Sequence, residues 1–551
     1  MKILGLALFG LAATSLWLLL GWISGGLATL PDMSPVVPEA DGIHPVVASE
    51  TYHSGYEIGG GVPQKYPPAA AFIMGLAIEI SDPDFYDDAS VLLHLEEDEQ
   101  RTGLWRLKDR LAPLIAISRF ATQLAMGIAM GLLAMLAAQT CWSMGISRPL
   151  SIAAGVICIV TFGASYPVLY HGSTTNVDAY ALAPSLAMLL FALRRNWWCA
   201  AAAAGLAAAA KDPSYVAGFV LVGFAVLDAE RGRARRFLGI SAVGLLVYLA
   251  SAGALTGPGV WWEHMQYLFQ GGVSSVPRID PAEPGQWGQL IAYSARLIWA
   301  SQGPITCVAG VAGLVAIGLR SPRTALLLFA AIASVWVLFI LPVRFVYLRF
   351  LLLPSAVLSV GAAALVAMLC SRGLVRLKRP RLEALAALLI AGLWWFAQHR
   401  DLVFGGPPPN ASRFYAREIL QGAEPRLEAA RAISELASPG DRIVLIADQR
   451  RQGPPLDPVR FSVQELGLDK AAPTFADWQA APAESRPEWV LLMSSPVNQP
   501  NGGSPSQFKL PVPGSRVRGL YEVIQNFGEP TGHVVERSIS IRPAISLMRR
   551  L

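Results

Sequence analysis

The sequence predicts a multispanning α-helical membrane protein that ends in a small α/β domain, and three observations carry that prediction. Of its 551 residues, 53% are hydrophobic and only 15% charged, with mean hydropathy +0.44, a balance too apolar for an ordinary soluble domain. The apolar residues fall in runs of roughly 17–25, the length that crosses a bilayer. Beyond residue 407 those runs stop, and turns, short apolar strands and an amphipathic helix replace them.

The first run, from Ile3 to Leu30, follows Lys2 and ends without a small-residue cleavage pattern, so it reads as a retained helix over 3–25. Further spans are expected at 112–138, 150–168, 178–193, 197–210, 214–228, 237–256, 302–319, 324–341, 350–370 and 383–398, eleven in all. Between the first two lies a long loop, 26–111. There Gln64-Lys65-Tyr66-Pro67-Pro68 opens an apolar stretch, 69–80, that stops at Ser81-Asp82-Pro83-Asp84. About a dozen residues make an interfacial or re-entrant helix rather than a crossing.

Basic residues give the sidedness. With Met1 cytoplasmic and 69–80 not crossing, fourteen Arg and Lys residues fall in the short cytoplasmic loops, among them Arg231, Arg233, Arg235 and Arg236. Five fall opposite: Lys211, Arg278, Arg296, Arg344 and Arg349. A crossing at 69–80 would invert this asymmetry, against the positive-inside rule. The reading is therefore a multi-pass protein of the inner (plasma) membrane with a cytoplasmic N-terminus. Its 26–111 loop carries juxtamembrane helices on the external face, and 112–398 forms the transmembrane domain. Residues 399–551 form an external α/β domain, periplasmic or extracellular. In that domain Gly405-Gly406-Pro407-Pro408-Pro409 is a break, a helix is expected near Arg426 to Ala437, and strands at 442–447 and Trp489 to Met493. The five cysteines lack metal-ligand spacing, and no phosphate loop or zinc pattern is present.

Ionisable groups at membrane depth are costly and mark sites unless they have ordinary partners. The external loop gathers Glu39, Asp41, His44, Glu50, His53 and Glu57 ahead of Lys65; a carboxylate among them serves as a base toward a hydroxyl if it lies within reach, or the stretch is a plain polar loop. Asp178 opens a helix, where a cap or dipole partner is as natural as a catalytic role. Lys211 joins two helices and either snorkels, pairs with Asp212, or binds a lipid phosphate. Arg344 and Arg349, before an apolar helix, are interface anchors or anion ligands. Arg119, early in the second span, needs a partner.

In this order the residues resemble the GT-C glycosyltransferase superfamily, and within it the protein mannosyltransferase and aminoarabinose transferase type. The likeness runs through Glu39-Ala40-Asp41, Lys65-Tyr66-Pro67-Pro68, Ile117-Ser118-Arg119-Phe120, Tyr166-Pro167 with Asp178, Gly205 to Pro213, and Arg349-Phe350-Leu351-Leu352-Leu353-Pro354. It covers residues 1 to about 400. Two departures stand out: the acidic pair is split by Ala40, and Asp212 replaces a usual glycine after Lys211.

The resemblance implies a membrane glycosyltransferase that takes a sugar from a polyprenyl-phosphate donor and moves it to an acceptor hydroxyl on the external face. It implies Asp41 or Glu39 as base, and Lys65, Tyr66, Asp178, Lys211, Arg349 and Arg119 as substrate-binding residues. Expected partners are the lipid-linked donor, a glycan, lipid or protein acceptor, and membrane lipid, with no nucleic acid. No cofactor follows from the residues, and a divalent metal stays open. The alternatives are a lipid-linked glycan transporter, for which no repeat symmetry is visible, and a non-catalytic envelope scaffold.

Overall fold

The computed structural model describes residues 3–23, 44–54, 68–94, 106–163, 165–173, 177–211, 233–270, 285–341, 344, 346, 348–373, 380–404, 425–447, 453–454, 456–467, 471–494, 511–528 and 544–551. The chain forms two compact units, one of Met1–Ala28, Val47–Ile80 and Ile117–Leu420 and the other of Thr29–Val46, Ser81–Ala116 and Gln421–Leu551.

The first unit is helical. Three of its helices are long and apolar enough to cross a membrane, Asp109–Ser143, Pro322–Ile340 and Leu348–Arg372. A fourth span results if Trp287–Gln302 and Pro304–Arg320, bent by 111° at Gly303, count as one. Shorter apolar helices include Leu4–Leu19, Arg148–Gly163, Val177–Leu193 and Trp197–Ala210. The expected span at 150–168 is divided into helices Arg148–Gly163 and Tyr166–Ser173, and the one at 214–228 lies outside the described residues. Helices Pro258–Gln270 and Gln286–Gln302 were not expected as spans, because Glu263, His264 and Arg296 interrupt their hydropathy.

Close glycine contacts fix the direction of several helices. A side chain at Gly131 would lie 2.6 Å from the Gly10 carbonyl, and one at Gly127 would lie 3.2 Å from Leu18. Helices Ile3–Ile23 and Lys108–Ser143 therefore run antiparallel. The chain between them leaves and returns at one end of the bundle. Helix Ala69–Ser81, within that stretch, has 13 residues and by its rise is about 20 Å long, short of a hydrocarbon core near 30 Å. It packs on helix His44–Ser54, where Tyr52 meets Phe72 at 5.2 Å between ring centroids and the His53 ring is 2.7 Å from a Glu79 carboxylate oxygen.

Helix Arg148–Gly163 follows the direction of the first helix. Gly155 sits against Phe9, and Gly163 sits against Trp17, whose indole N–H donates to the Gly163 carbonyl at 3.2 Å. Gly172, one helix later, still faces Trp17 and Met126. Helix Tyr166–Ser173 thus ends toward the end of the bundle from which the chain after Ile23 departs. Helices Pro304–Arg320 and Leu352–Gly373 run parallel and touch backbone to backbone, since a Cβ on Gly310 would lie 2.6 Å from the Leu358 carbonyl and one on Gly313 would strike Gly361. Small residues permit that approach, the usual way apolar helices gain packing in a membrane.

The second unit contains a six-stranded sheet in the order β2-β1-β3-β6-β5-β4, with β1 Arg442–Ala447, β2 Ser462–Gly467, β3 Trp489–Ser494, β4 Arg516–Val517, β5 Tyr521–Phe527 and β6 Ala544–Arg550. β1 pairs parallel with β2 and β3, while β6 pairs antiparallel with β3 and β5. Ile443, Leu445, Trp489, Leu491 and Leu547 pack on one face with Ala429 and Ile433 of helix Pro425–Leu436. Val444, Ile446, Val490 and Leu492 pack on the other with Phe475 and Tyr521. Burial on both faces explains why β1 and β3 are unbroken apolar runs.

At the start of β1 Arg442 donates to the carbonyls of Glu484, Ser485 and Arg486 and to the Glu488 carboxylate. Burial works against the Glu488 charge, but the Arg442 backbone N–H at 2.7 Å and its guanidinium hold the carboxyl below its ordinary pKa. A carboxyl depressed in the folded state stabilises above its unfolded pKa and loses that contribution as pH falls through the folded value. Hydrogen-exchange protection of β1 and β3 amides is therefore expected to fall below about pH 4 by an amount on the order of 1 kcal/mol. Glu488→Gln should flatten that acid limb; an unchanged limb would remove Glu488 from the account.

Candidate active site

The most concentrated buried polar chemistry of the first unit lies where four short elements meet. Helix Val177–Leu193 begins with Asp178, whose side chain is fully buried, and helix Trp197–Ala210 ends on Lys211, 3% exposed. Asn196 caps the second helix by accepting from the Cys199 N–H, and the Lys211 N–H closes its last turn on the Ala207 carbonyl at 3.2 Å. The hairpin brings the two charges together. The Lys211 ammonium donates to Asp178 Oδ1, an ion pair with both partners out of water. Such a pair persists because removing either member strands the other at low dielectric.

Lys211 Nζ also lies 5.2 Å from the centre of the Phe350 ring, and the Arg349 guanidinium lies 5.8 Å from the same ring. Phe350 belongs to the 3-10 turn Leu348–Leu351, and Phe339 of the π-helical turn Val335–Ile340 braces it edge-on at 4.8 Å between centroids. A π-helical turn offsets the side chains that follow it. Both cations thus lie close to one aromatic ring, which attracts them electrostatically. Asp178 offsets the charge of Lys211.

Around this core sit further buried polar groups. Thr122 Oγ1 is 3.4 Å from the Tyr180 hydroxyl and donates to the Ser118 carbonyl. Arg119, 6% exposed, precedes Thr122 by three residues and so shares its helix face. His171 and Ser165 are buried at the turn before Asp178. Helix Gln286–Gln302 packs against both helix Tyr166–Ser173 and the Leu348–Leu351 turn.

Of the residues expected from sequence, the structure thus joins Asp178, Lys211 and Arg349 and leaves Arg119 buried one turn from Thr122. Lys211 pairs with Asp178, while Asp212 lies outside the described residues, as do Glu39, Asp41, Lys65 and Tyr66. Among the described residues no group of three or more His, Cys, Asp or Glu is placed to hold a metal ion.

No protein-family profile matches this chain, and no curated protein matches it. Solved structures give similarities of course. ArnT from Cupriavidus metallidurans in the apo state aligns with TM-score 0.44 at 15% identity, over 87% of this chain and 92% of that one. ArnT from the same organism bound to undecaprenyl phosphate aligns with TM-score 0.44 at 14% identity, over 90% and 94%. The arabinofuranosyltransferase AftD from Mycobacteria aligns with TM-score 0.42 at 15% identity, over all of this chain and 40% of that one. At these values they assign no residue of this chain a role.

Sequence reasoning assigned no part to Phe350 and Phe339. Aromatic residues in apolar runs carry no signal of their own.

Proposed function

We propose that this chain is a membrane glycosyltransferase that moves a sugar from a polyprenyl-phosphate donor to an acceptor hydroxyl at the external face. The observation that carries the reading is the Lys211–Asp178 ion pair buried beside Phe350, with Arg349 against the same ring. It lies at the end of the bundle where the chain bearing Asp41 and Lys65 leaves and returns. A phosphodiester-linked sugar presents a lipid tail, an anion and a polar head, and this end offers lipid access, cations and buried polar groups.

In the transfer the bond between the anomeric carbon and the phosphate oxygen breaks with its electron pair going to the phosphate. A bond forms from that carbon to the acceptor oxygen, whose proton passes to a carboxylate. Polyprenyl phosphate leaves as an anion and needs little general acid, so fixed cations are the main requirement. Arg349 and Lys211 supply them, joined by Lys65 from the external loop, and Asp178 is a positioning residue that holds Lys211. Arg119 and Tyr66 complete the proposed donor contacts, and Asp41 or Glu39 is the base. Water exclusion matters here, because the same charges interact several-fold more strongly at an effective dielectric near 20 than in bulk water.

The bent pair Trp287–Gln302 and Pro304–Arg320 favours a second reading, since broken helices also build transporter sites. One experiment separates the two. Cells lacking the protein should accumulate a lipid-linked sugar by mass spectrometry, and an unchanged lipid pool would remove the donor assignment. Purified protein in vesicles with that lipid and an envelope extract should release bare polyprenyl phosphate, whereas a transporter leaves the lipid intact.

A further inference from the structure

Gln302 is 3% exposed, and neither its amide nitrogen nor its amide oxygen has a hydrogen-bond partner. A buried carboxamide left so costs free energy on both atoms, and such groups are rare enough in native proteins to call for an explanation. Its neighbours narrow the explanation. Gln302 ends helix Gln286–Gln302, and Gly303, with φ 79° and ψ 155°, turns the chain by 111° into helix Pro304–Arg320. Irregular backbone at membrane depth is tolerated where it lines a cavity or is buried in protein.

The parallel contact of Gly310 with Leu358 and Gly313 with Gly361 sets a constant offset between the two helices. Carried back to the first residue of its helix, it brings Pro304, just past the bend, near Leu352, where the turn bearing Phe350 ends. Packing of helix Gln286–Gln302 on the Leu348–Leu351 turn agrees with that placement. A neutral group with two donors and an acceptor thus ends the helix that packs on the turn carrying Phe350.

We propose that Gln302 reads an uncharged hydroxyl-bearing group of the donor, the sugar rather than the phosphate. Cations serve the phosphate; a carboxamide suits a hydroxyl, which both donates and accepts. The proposal rests on the donor reading above.

Binding tests it, using purified full-length protein in vesicles with undecaprenyl phosphate and its mannosyl, glucosyl and arabinofuranosyl derivatives as probes. Wild type should prefer at least one sugar-bearing lipid over the bare phosphate. Gln302→Leu should cut that preference by about tenfold while leaving affinity for the bare lipid within about twofold. Without lipid the variant should melt no lower than wild type, since the substitution removes unsatisfied polar atoms. A retained preference in Gln302→Leu, equal loss for bare and sugar-bearing lipids, a wild type with no preference, or a lowered melting temperature that marks a buried water bonded there would each overturn the proposal. Absence of binding to every probe, bare lipid included, would instead remove the donor reading on which it rests.

Discussion

Lys211→Met is expected to abolish transfer and to destabilise the membrane unit by about 3–5 kcal/mol. The substitution keeps an unbranched side chain of similar length and removes the ammonium from beside Asp178, a carboxylate that is itself fully buried. It also removes one of the two cations over Phe350. Asp178→Leu alone should cost a comparable amount for the mirrored reason, leaving a buried ammonium. The double variant Lys211→Met/Asp178→Leu should recover most of the stability, because two apolar groups replace a desolvated pair, yet remain without transfer activity. Thermal unfolding in detergent and a transfer assay read the two effects apart. Single variants that melt like wild type would show that the pair is not a coupled buried unit, and a double variant with full transfer would remove Lys211 from the donor site.

Asp41→Asn is expected to lower transfer by roughly 10²–10⁴-fold, the usual worth of a positioned general base. Glu39→Gln is then expected to leave most of the activity. The two residues stand two apart in the chain, so the pair of variants separates their roles. Asn and Gln preserve shape and hydrogen bonding while deleting proton acceptance. Steady-state rates measured with saturating donor report the chemical step rather than lipid binding. If Glu39→Gln gives the larger loss, the roles exchange. Full activity in both variants would place the base elsewhere and sink the assignment of this loop to the chemistry.

What the sequence disclosed follows from how local each signal is. The hairpin helices Val177–Leu193 and Trp197–Ala210 stand within a residue of the apolar runs that predict them, because charged or turn residues bound each run. In the sheet, β1 and β3 are central, buried on both faces and legible as apolar stretches. β2, β5 and β6 read Ser462-Val463-Gln464-Glu465-Leu466-Gly467, Tyr521 to Phe527 and Ala544 to Arg550. Their polar positions hide them, since their register comes from neighbours distant in the chain. The cost of burying charge pointed to Lys211 and Asp178 singly. It did not show them paired, because 33 residues separate them and an adjacent Asp212 is the nearer partner along the chain. Phe350 joins the charged set only through its tertiary contacts with Lys211 and Phe339, which leave no local signature in the sequence.

The hairpin that holds Asp178 and Lys211 has a consequence for how the protein enters its membrane. Both residues belong to one contiguous segment, at the start of its first helix and the end of its second. Their pairing needs no later part of the chain. As ribosomes deliver the protein in order, this segment is made about 90 residues before the Gly303 bend, so Asp178 and Lys211 are available to each other before that bend exists. The expense of carrying a charged pair into lipid is met once, early, by two neighbours rather than late by the finished bundle.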